Sequence, residues 1–437
     1  MNILINIHNI AYIGGVEHFV AKFCEDMTRR GHQVFCFTWA PEHSPPAFAM
    51  DARVRIVHYR LPIGVDGIHA LRKQILDCAP DVFVSPASEN EHLLWCAALA
   101  GTGIPWIFSE RSDPWIIEKK LWNREERHAA LHVADRIHLF FDKYRATIPA
   151  IEQDRVRIIP NCVDITLTQE TDRPGGCEKK SKKILSLGRL TASKQNTLLL
   201  RAFALLRKEF PDWQLDIWGE GKKEKCILEL EISLLGLRDS ARLRGPTAAP
   251  REQYMTADLF GFPSLYEGFG LVVIEAMSHG LPVVGFAGCA ALNELVRHSE
   301  TGLLAPEMTA ESLALSLRTL MSDADLRRKM GENARRSVAA YAPQRIFDAW
   351  EKMLVEASAC KGQTQLQQCL NGTDANSDRR HAKLREVLRR KNILSDKSQC
   401  IQYIALNGKK LFQAGRRVLS AAAFRCAMGL RGKGTAF

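Results

Sequence analysis

Two carboxylates, Glu267 and Glu275, stand eight positions apart in YEGFGLVVIEAMSHG (266–280), a stretch otherwise made mostly of glycine and apolar residues. Taken singly, Glu267 could be a turn residue and Glu275 a solvated position on a helix face. Upstream, SLGRLTASKQN carries Arg189 and Lys194 on one short segment. A guanidinium fork beside an ammonium point charge is suited to neutralising a diphosphate, although two surface cations opening a helix would read the same way. Gly268 and Gly270 precede the apolar run and leave the backbone N–H groups there open to close approach, the means by which a helix start holds an anion. Carboxylates flanking an anion site can accept hydrogen bonds from hydroxyls, and sugar and ribose are the groups that bring phosphate and hydroxyls together. Three further segments have the same flavour: WGEG with Gly219, IGGVEH with Gly14 and Gly15, and FSERSDP with Glu110, Arg111 and Asp113.

These residues need a scaffold that gathers them, and the pattern of the chain supplies one. NILINIH, QVFCFTW, RVRIVHY, DVFVSP and PWIFSE read as buried strands separated by amphipathic helical stretches, which predicts βαβ units and a parallel sheet covered on both faces. After a Pro-, Gly- and charge-rich interruption the alternation resumes with KILSLGRL, WQLDIWG, ARLRG, DLFGFP and LPVVGF. The expectation is an α/β protein of two Rossmann-like domains, 1–165 and 184–358, joined by a linker at 166–183 and followed by an extension at 359–437. Ligands of open α/β sheets sit beyond the carboxyl ends of the strands. Arg189, Gly219 and Glu267 each follow a predicted strand of the second domain, and Gly15 follows one of the first, so all would face the gap between domains.

Charge narrows the partners. Of the 60 Lys and Arg and 49 Asp and Glu in the chain, 16 basic but only 4 acidic residues fall after Cys360, which leaves the first 360 residues almost neutral. The basic character therefore belongs to the extension, and no recognised nucleic-acid reader accompanies it. Its apolar and cationic residues, in IQYIALNGKKLFQAGRRVLSAAAFRCAMGLRGKG, alternate at a roughly helical spacing that suits an anionic membrane surface; a solvated extension without a partner is the plain alternative. Twelve scattered cysteines without a C-x-x-C pair read as reduced thiols. The N-terminus lacks a secretory signal and no apolar run is long enough to span a bilayer, so a cytoplasmic protein, peripheral on the inner membrane face through its extension, is expected. The D-x-D of Asp323 and Asp325 precedes a helix and reads as an N-cap, not a cation site.

GRLTASK, WGEG, YEGFGLVVIEAMSHGLPVV with its Glu-x7-Glu spacing, HSETGLLAP, IGGVE and RIIPNCVD together resemble glycosyltransferase family 4 over about residues 1–355. The resemblance implies the GT-B architecture, a nucleotide-sugar donor (a UDP-sugar foremost) and transfer with retention of anomeric configuration, with no cofactor and no catalytic metal. It also implies roles. Arg189 and Lys194 would bind the donor diphosphate, Glu275 the ribose hydroxyls, and Glu267 the sugar near the reacting carbon. Main-chain N–H groups of Phe269, Gly270 and Leu271 would meet phosphate and sugar, and Gly15 would close over the diphosphate. Many members carry a histidine in the first domain where this chain has Glu110, so Glu110 becomes a candidate on the acceptor or donor-sugar side. The implied acceptor is a glycan or lipid-linked saccharide of bacterial cell-surface polysaccharide assembly. A GT-B epimerase or phosphorylase, or a non-catalytic sugar-nucleotide-binding protein, shares the fold; the first two need acid–base groups or a cofactor lysine that are not visible, and intact Arg189, Lys194, Glu267 and Glu275 argue against the third.

Overall fold

The computed structural model describes residues 1–60, 64–87, 92–121, 124–164 and 182–371. The interruption at 165–181 and the extension beyond 371 lie outside the described residues. Lobe 1 is built on a seven-stranded sheet in the order β3-β2-β1-β4-β5-β6-β7, with β1 Asn2–Ile7, β2 Gln33–Thr38, β3 Arg55–His58, β4 Val82–Ala87, β5 Trp106–Glu110, β6 Arg136–Leu139 and β7 Val156–Ile158. Lobe 2 holds a six-stranded sheet in the order β10-β9-β8-β11-β12-β13, with β8 Lys182–Leu187, β9 Trp213–Trp218, β10 Ala241–Gly245, β11 Leu259–Phe262, β12 Val283–Phe286 and β13 Gly302–Ala305. All the pairings are parallel. The near-continuous apolar runs of the central strands follow from that, since helices cover both faces and leave no strand face for polar side chains.

Strand order reverses between β1 and β4 in lobe 1 and between β8 and β11 in lobe 2. At such a point the two outgoing loops diverge to opposite faces and open a crevice at the carboxyl edge. In lobe 2 those two loops are 188–195 and 263–270, and in lobe 1 the loop after β1 runs into the Gly15–Arg29 helix. The topology therefore brings the candidate residues to two facing crevices.

The lobes share an apolar core. Phe269 of lobe 2 is buried and stacks on Phe141 of lobe 1, with ring centroids 5.2 Å apart and planes 11° from parallel. Phe140 and Tyr341 pack on the same ring. Lys143 and Glu294 add a half-exposed ion pair across the lobes at 3.3 Å.

The second domain does not run to residue 358 as the sequence pattern suggested. The Pro343–Ser358 helix returns to lobe 1, where Ile346, Phe347, Trp350, Met353 and Leu354 join Ile3, Phe19, Phe23 and Val84 in one buried cluster. Trp350 is fully buried against Phe19, Phe23 and His138, with centroids 5.3, 5.4 and 4.6 Å away. The amphipathic stripe of this helix is plain in sequence, but a stripe does not say which sheet it covers. The first residues of the predicted extension also belong to lobe 1: Leu366 is buried there, and the Gln365 N–H donates to Asp135 Oδ1 at 2.9 Å.

Candidate active site

The Glu267 carboxylate is the hub of a small polar cluster. Lys194 is ion-paired with its Oε1, and the Ser264 hydroxyl donates to the same oxygen at 2.6 Å. The Lys194 ammonium also sits 4.9 Å from the centre of the Phe262 ring, at the end of β11. Leu265 N–H donates to the Ser193 carbonyl at 2.9 Å, which joins the loops leaving β8 and β11 and fixes their cations and acids relative to one another. Beside them lies Cys289, whose thiol burial pushes up to about 12, with the Glu267 charge adding to the effect. It is a neutral wall of the cluster.

Arg189 lies one residue past Gly188 on the loop after β8 and is exposed. The WGEG turn sits directly beneath that loop. Leu190 N–H donates to the Glu220 carbonyl at 2.8 Å, and a Cβ on Gly219, whose φ is 150°, would stand 1.8 Å from the Gly188 carbonyl oxygen. Gly219 is thus required by packing against the cation-bearing loop.

The Leu271–Ser278 helix begins at Gly270, which caps it in the left-handed conformation at φ 96°. Its first N–H groups have no acceptor within the helix. Opposite, the Gly15–Arg29 helix begins after Gly14, and a Cβ on Gly15 would come within 3.3 Å of Leu271 Cδ1. Two helix starts, each carrying partial positive charge, therefore converge on one gap with Arg189 and Lys194. Glu17, in the first turn of the lobe 1 helix, faces the same gap. Burial raises its carboxyl above the ordinary value, opposed by its own backbone N–H and by the Arg189 charge across the lobes. Glu17 was not singled out in the sequence; the acid three residues past Gly14 was its signal. Phe269 places its side chain in the lobe interface, so only its backbone is left for the gap.

Glu275 lies on the second turn of the Leu271–Ser278 helix, and Tyr254 donates its hydroxyl to Glu275 Oε2 at 2.7 Å. The Tyr254 ring stacks on His279 at 5.2 Å. The Glu275 side chain is only partly buried; that burial raises the carboxyl above its ordinary 4.5, and the Tyr254 hydrogen bond acts against it. The native fold therefore binds this proton more tightly than the unfolded chain, and stability contributed here falls as pH rises above 4.5. Glu275→Gln keeps the acceptor for Tyr254 and removes the charge. Thermal melts are expected to find it at least as stable as the native protein at pH 7, with the difference closing as pH falls toward 4.5.

The segment 110–113 does not stand exposed at the sheet edge: Glu110, Arg111 and Asp113 are 2, 7 and 5% exposed. Glu110 pairs with the fully buried Arg127 through both oxygens, at 2.9 and 2.5 Å. The remaining guanidinium donors of Arg127 reach Glu118 at 2.9 Å and the Thr147 carbonyl and hydroxyl at 3.0 Å each. All five N–H groups of the fork are used. Asp113 caps the helical turn that follows, accepting from Trp115 N–H at 3.0 Å. Glu110 is therefore a buried ion-pair partner of Arg127, and the correction to its expected place is physical: the guanidinium that holds both its oxygens draws it into the interior of lobe 1 instead of leaving it exposed at the sheet edge. Asp323, likewise, caps the Ala324–Ser337 helix by accepting Leu326 N–H at 2.8 Å.

Two Rossmann-like lobes that hold cations and helix starts at facing strand ends define the GT-B class, and solved structures of that class superpose on this chain. Sucrose-phosphate synthase from Thermosynechococcus elongatus matches with a TM-score of 0.68 at 20% identity, covering 82% of this chain and 99% of its own. Anabaena HepE, solved with UDP and glucose, matches with a TM-score of 0.66 at 18% identity over 81% and 99%. At the level of sequence, residues 13–167 match the family Glycosyltransferase Family 4 and residues 168–337 match Glycosyl transferases group 1. Each lobe thus matches the model of a glycosyltransferase domain, and together the two matches cover residues 13–337. An exopolysaccharide phosphotransferase of Streptomyces coelicolor is 34% identical over 46% of this chain and 21% of its own length. An uncharacterized glycosyltransferase of Haemophilus influenzae is 33% identical over 40% and 49%, and a poly(glycerol-phosphate) alpha-glucosyltransferase of Bacillus subtilis 30% identical over 38% and 25%. The matches thus span from a fifth to a half of the length of these relatives.

Proposed function

We propose that the chain transfers a hexose, with retention, from a nucleotide-sugar, a UDP-sugar foremost, to a glycan or lipid-linked acceptor of bacterial cell-surface polysaccharide synthesis. The observation that carries this reading is the convergence of Lys194, Glu267, Ser264, Arg189 and two helix starts on one interlobe gap. The names of relatives that act in exopolysaccharide and poly(glycerol-phosphate) synthesis, and of a neighbour holding UDP, agree with it.

The chemistry follows from where charge develops. Breaking the anomeric C–O bond leaves negative charge on the diphosphate and positive character on the sugar ring. Arg189, Lys194 and the helix starts would meet the first, because fixed donors aimed at the leaving group need no reorganisation as the bond breaks. Glu267, held against Lys194, would face the second, and the half-open Glu275 would accept from ribose hydroxyls. In this reading no metal is required, since the leaving group has protein cations. The reading is tested by thermal melts against UDP-, GDP- and ADP-sugars: stabilisation by one nucleotide class supports it and fixes the base, and no response to any of them would overturn it.

The basic extension would give the acceptor a meeting place, an anionic membrane surface at the inner face of the cell membrane. Among the described residues no helix is long and apolar enough to cross a membrane. Removing residues 372–437 is expected to lower co-sedimentation with phosphatidylserine or phosphatidylglycerol vesicles by tenfold or more, and equal co-sedimentation would refute the membrane role.

A further inference from the structure

The loop that carries Glu267 belongs to lobe 2 by chain and is held by lobe 1. Tyr144, in the Asp142–Thr147 turn of lobe 1, is 1% exposed, and its hydroxyl reaches the main-chain carbonyls of Glu267 and Gly268, at 3.1 and 3.2 Å. One O–H proton serves both acceptors. The Tyr144 ring is wedged edge-on between Trp115, 5.4 Å away, and Phe141, 5.5 Å away, so the hydroxyl has little freedom to leave. On the next residue a Cβ would stand 2.1 Å from the Arg111 carbonyl oxygen, so lobe 1 backbone lies directly against Gly268. One residue further, Phe269 stacks on Phe141. Three consecutive residues of the loop thus rest on lobe 1, and Tyr144 is the only one of these contacts with a hydrogen bond to the residue that bears the carboxylate.

We infer that Tyr144 is a positioning residue for Glu267: its hydroxyl transmits the placement of lobe 1 to the carboxylate, so that Glu267 takes its working position only when the lobes are together. The inference rests on the glycosyltransferase reading for its kinetic consequence but not for its structural one. Arg189 and Lys194, which would hold the diphosphate, sit on the loop after β8, which the WGEG turn supports from within lobe 2; that loop keeps this anchor when the Tyr144 contact is lost, although Lys194 is also paired with Glu267. Loss of the hydroxyl should therefore weaken turnover and spare donor binding.

Tyr144→Phe keeps the ring and its packing and removes the one donor. Two measurements test it in the full chain, with Lys143→Ala as a control that loses the neighbouring interlobe ion pair and leaves the loop contact intact. The first is hydrogen–deuterium exchange of the peptide covering residues 264–271, which is expected to speed up in Tyr144→Phe and not in Lys143→Ala; unchanged exchange in Tyr144→Phe overturns the inference whatever the protein's substrate. The second uses the nucleotide-sugar that stabilises the wild type, with release of nucleoside diphosphate as the readout. A fall in kcat of about tenfold with KM for that donor within about twofold is expected, equivalent to about 1.4 kcal/mol in the barrier. Equal kcat, or kcat and KM both altered in step with a loss of folded protein, would overturn it. If the wild type binds and turns over no nucleotide-sugar, the glycosyltransferase reading fails and the exchange result alone decides the role of Tyr144.

Discussion

Lys194→Ala is expected to remove the thermal response to nucleotide-sugars and to lower turnover by about 10²–10³-fold, the usual cost of deleting one preorganised group that meets charge in the transition state. Two effects act in the same direction. The ammonium would be lost from the leaving diphosphate, and Glu267, now paired only with the Ser264 hydroxyl, would present an unneutralised carboxylate to that same diphosphate. Lys194→Arg keeps the charge with a different shape and is expected to fall between the two. Nucleoside diphosphate release and thermal melts, read together, check the prediction. A Lys194→Ala protein that still responded fully to the donor would place the diphosphate elsewhere in the gap.

Arg127→Met is expected to cost about 3–5 kcal/mol of folding stability, because it strips the partner from a buried carboxylate. The loss is large since Glu110 directs both oxygens at Arg127 and is itself 2% exposed. Chemical unfolding measures it. Glu110→Gln combined with Arg127→Met should recover part of that loss, because the stranded charge is then gone, and the folded fraction should keep its response to the donor. If Arg127→Met matched the native protein in stability while losing transfer, Glu110 and its partner would return to the acceptor side as catalytic candidates.

The contrast between those two sites explains what could be read in advance. Lys194, Glu267 and Glu275 lie on segments whose glycines and apolar runs mark a strand, a loop and a helix start within a few residues, so local pattern and parallel-sheet topology together place them at one sheet edge. Glu110 ends strand β5, and the same logic put it exposed at the edge; what buries it is Arg127, seventeen residues on in the Arg124–Val133 helix, and no local pattern encodes that partnership. Tyr254 and Tyr144 were invisible for the same reason, since their hydroxyls act on Glu275 and on the Glu267 carbonyl at separations of 21 and 123 residues. Among the strands, β6, β7 and β13 went unread.

The return of the Pro343–Ser358 helix to lobe 1 has a consequence for how the protein is made. Residues 1–164 leave the ribosome first, yet the cluster around Phe19, Phe23 and Val84 is closed by Trp350, Met353 and Leu354. Lobe 1 is translated before lobe 2 yet sealed after it, and it must wait, with apolar surface open, while the whole of lobe 2 is translated. A stop codon ahead of Pro343 would therefore harm the 1–164 segment most, although every residue of that segment had been made.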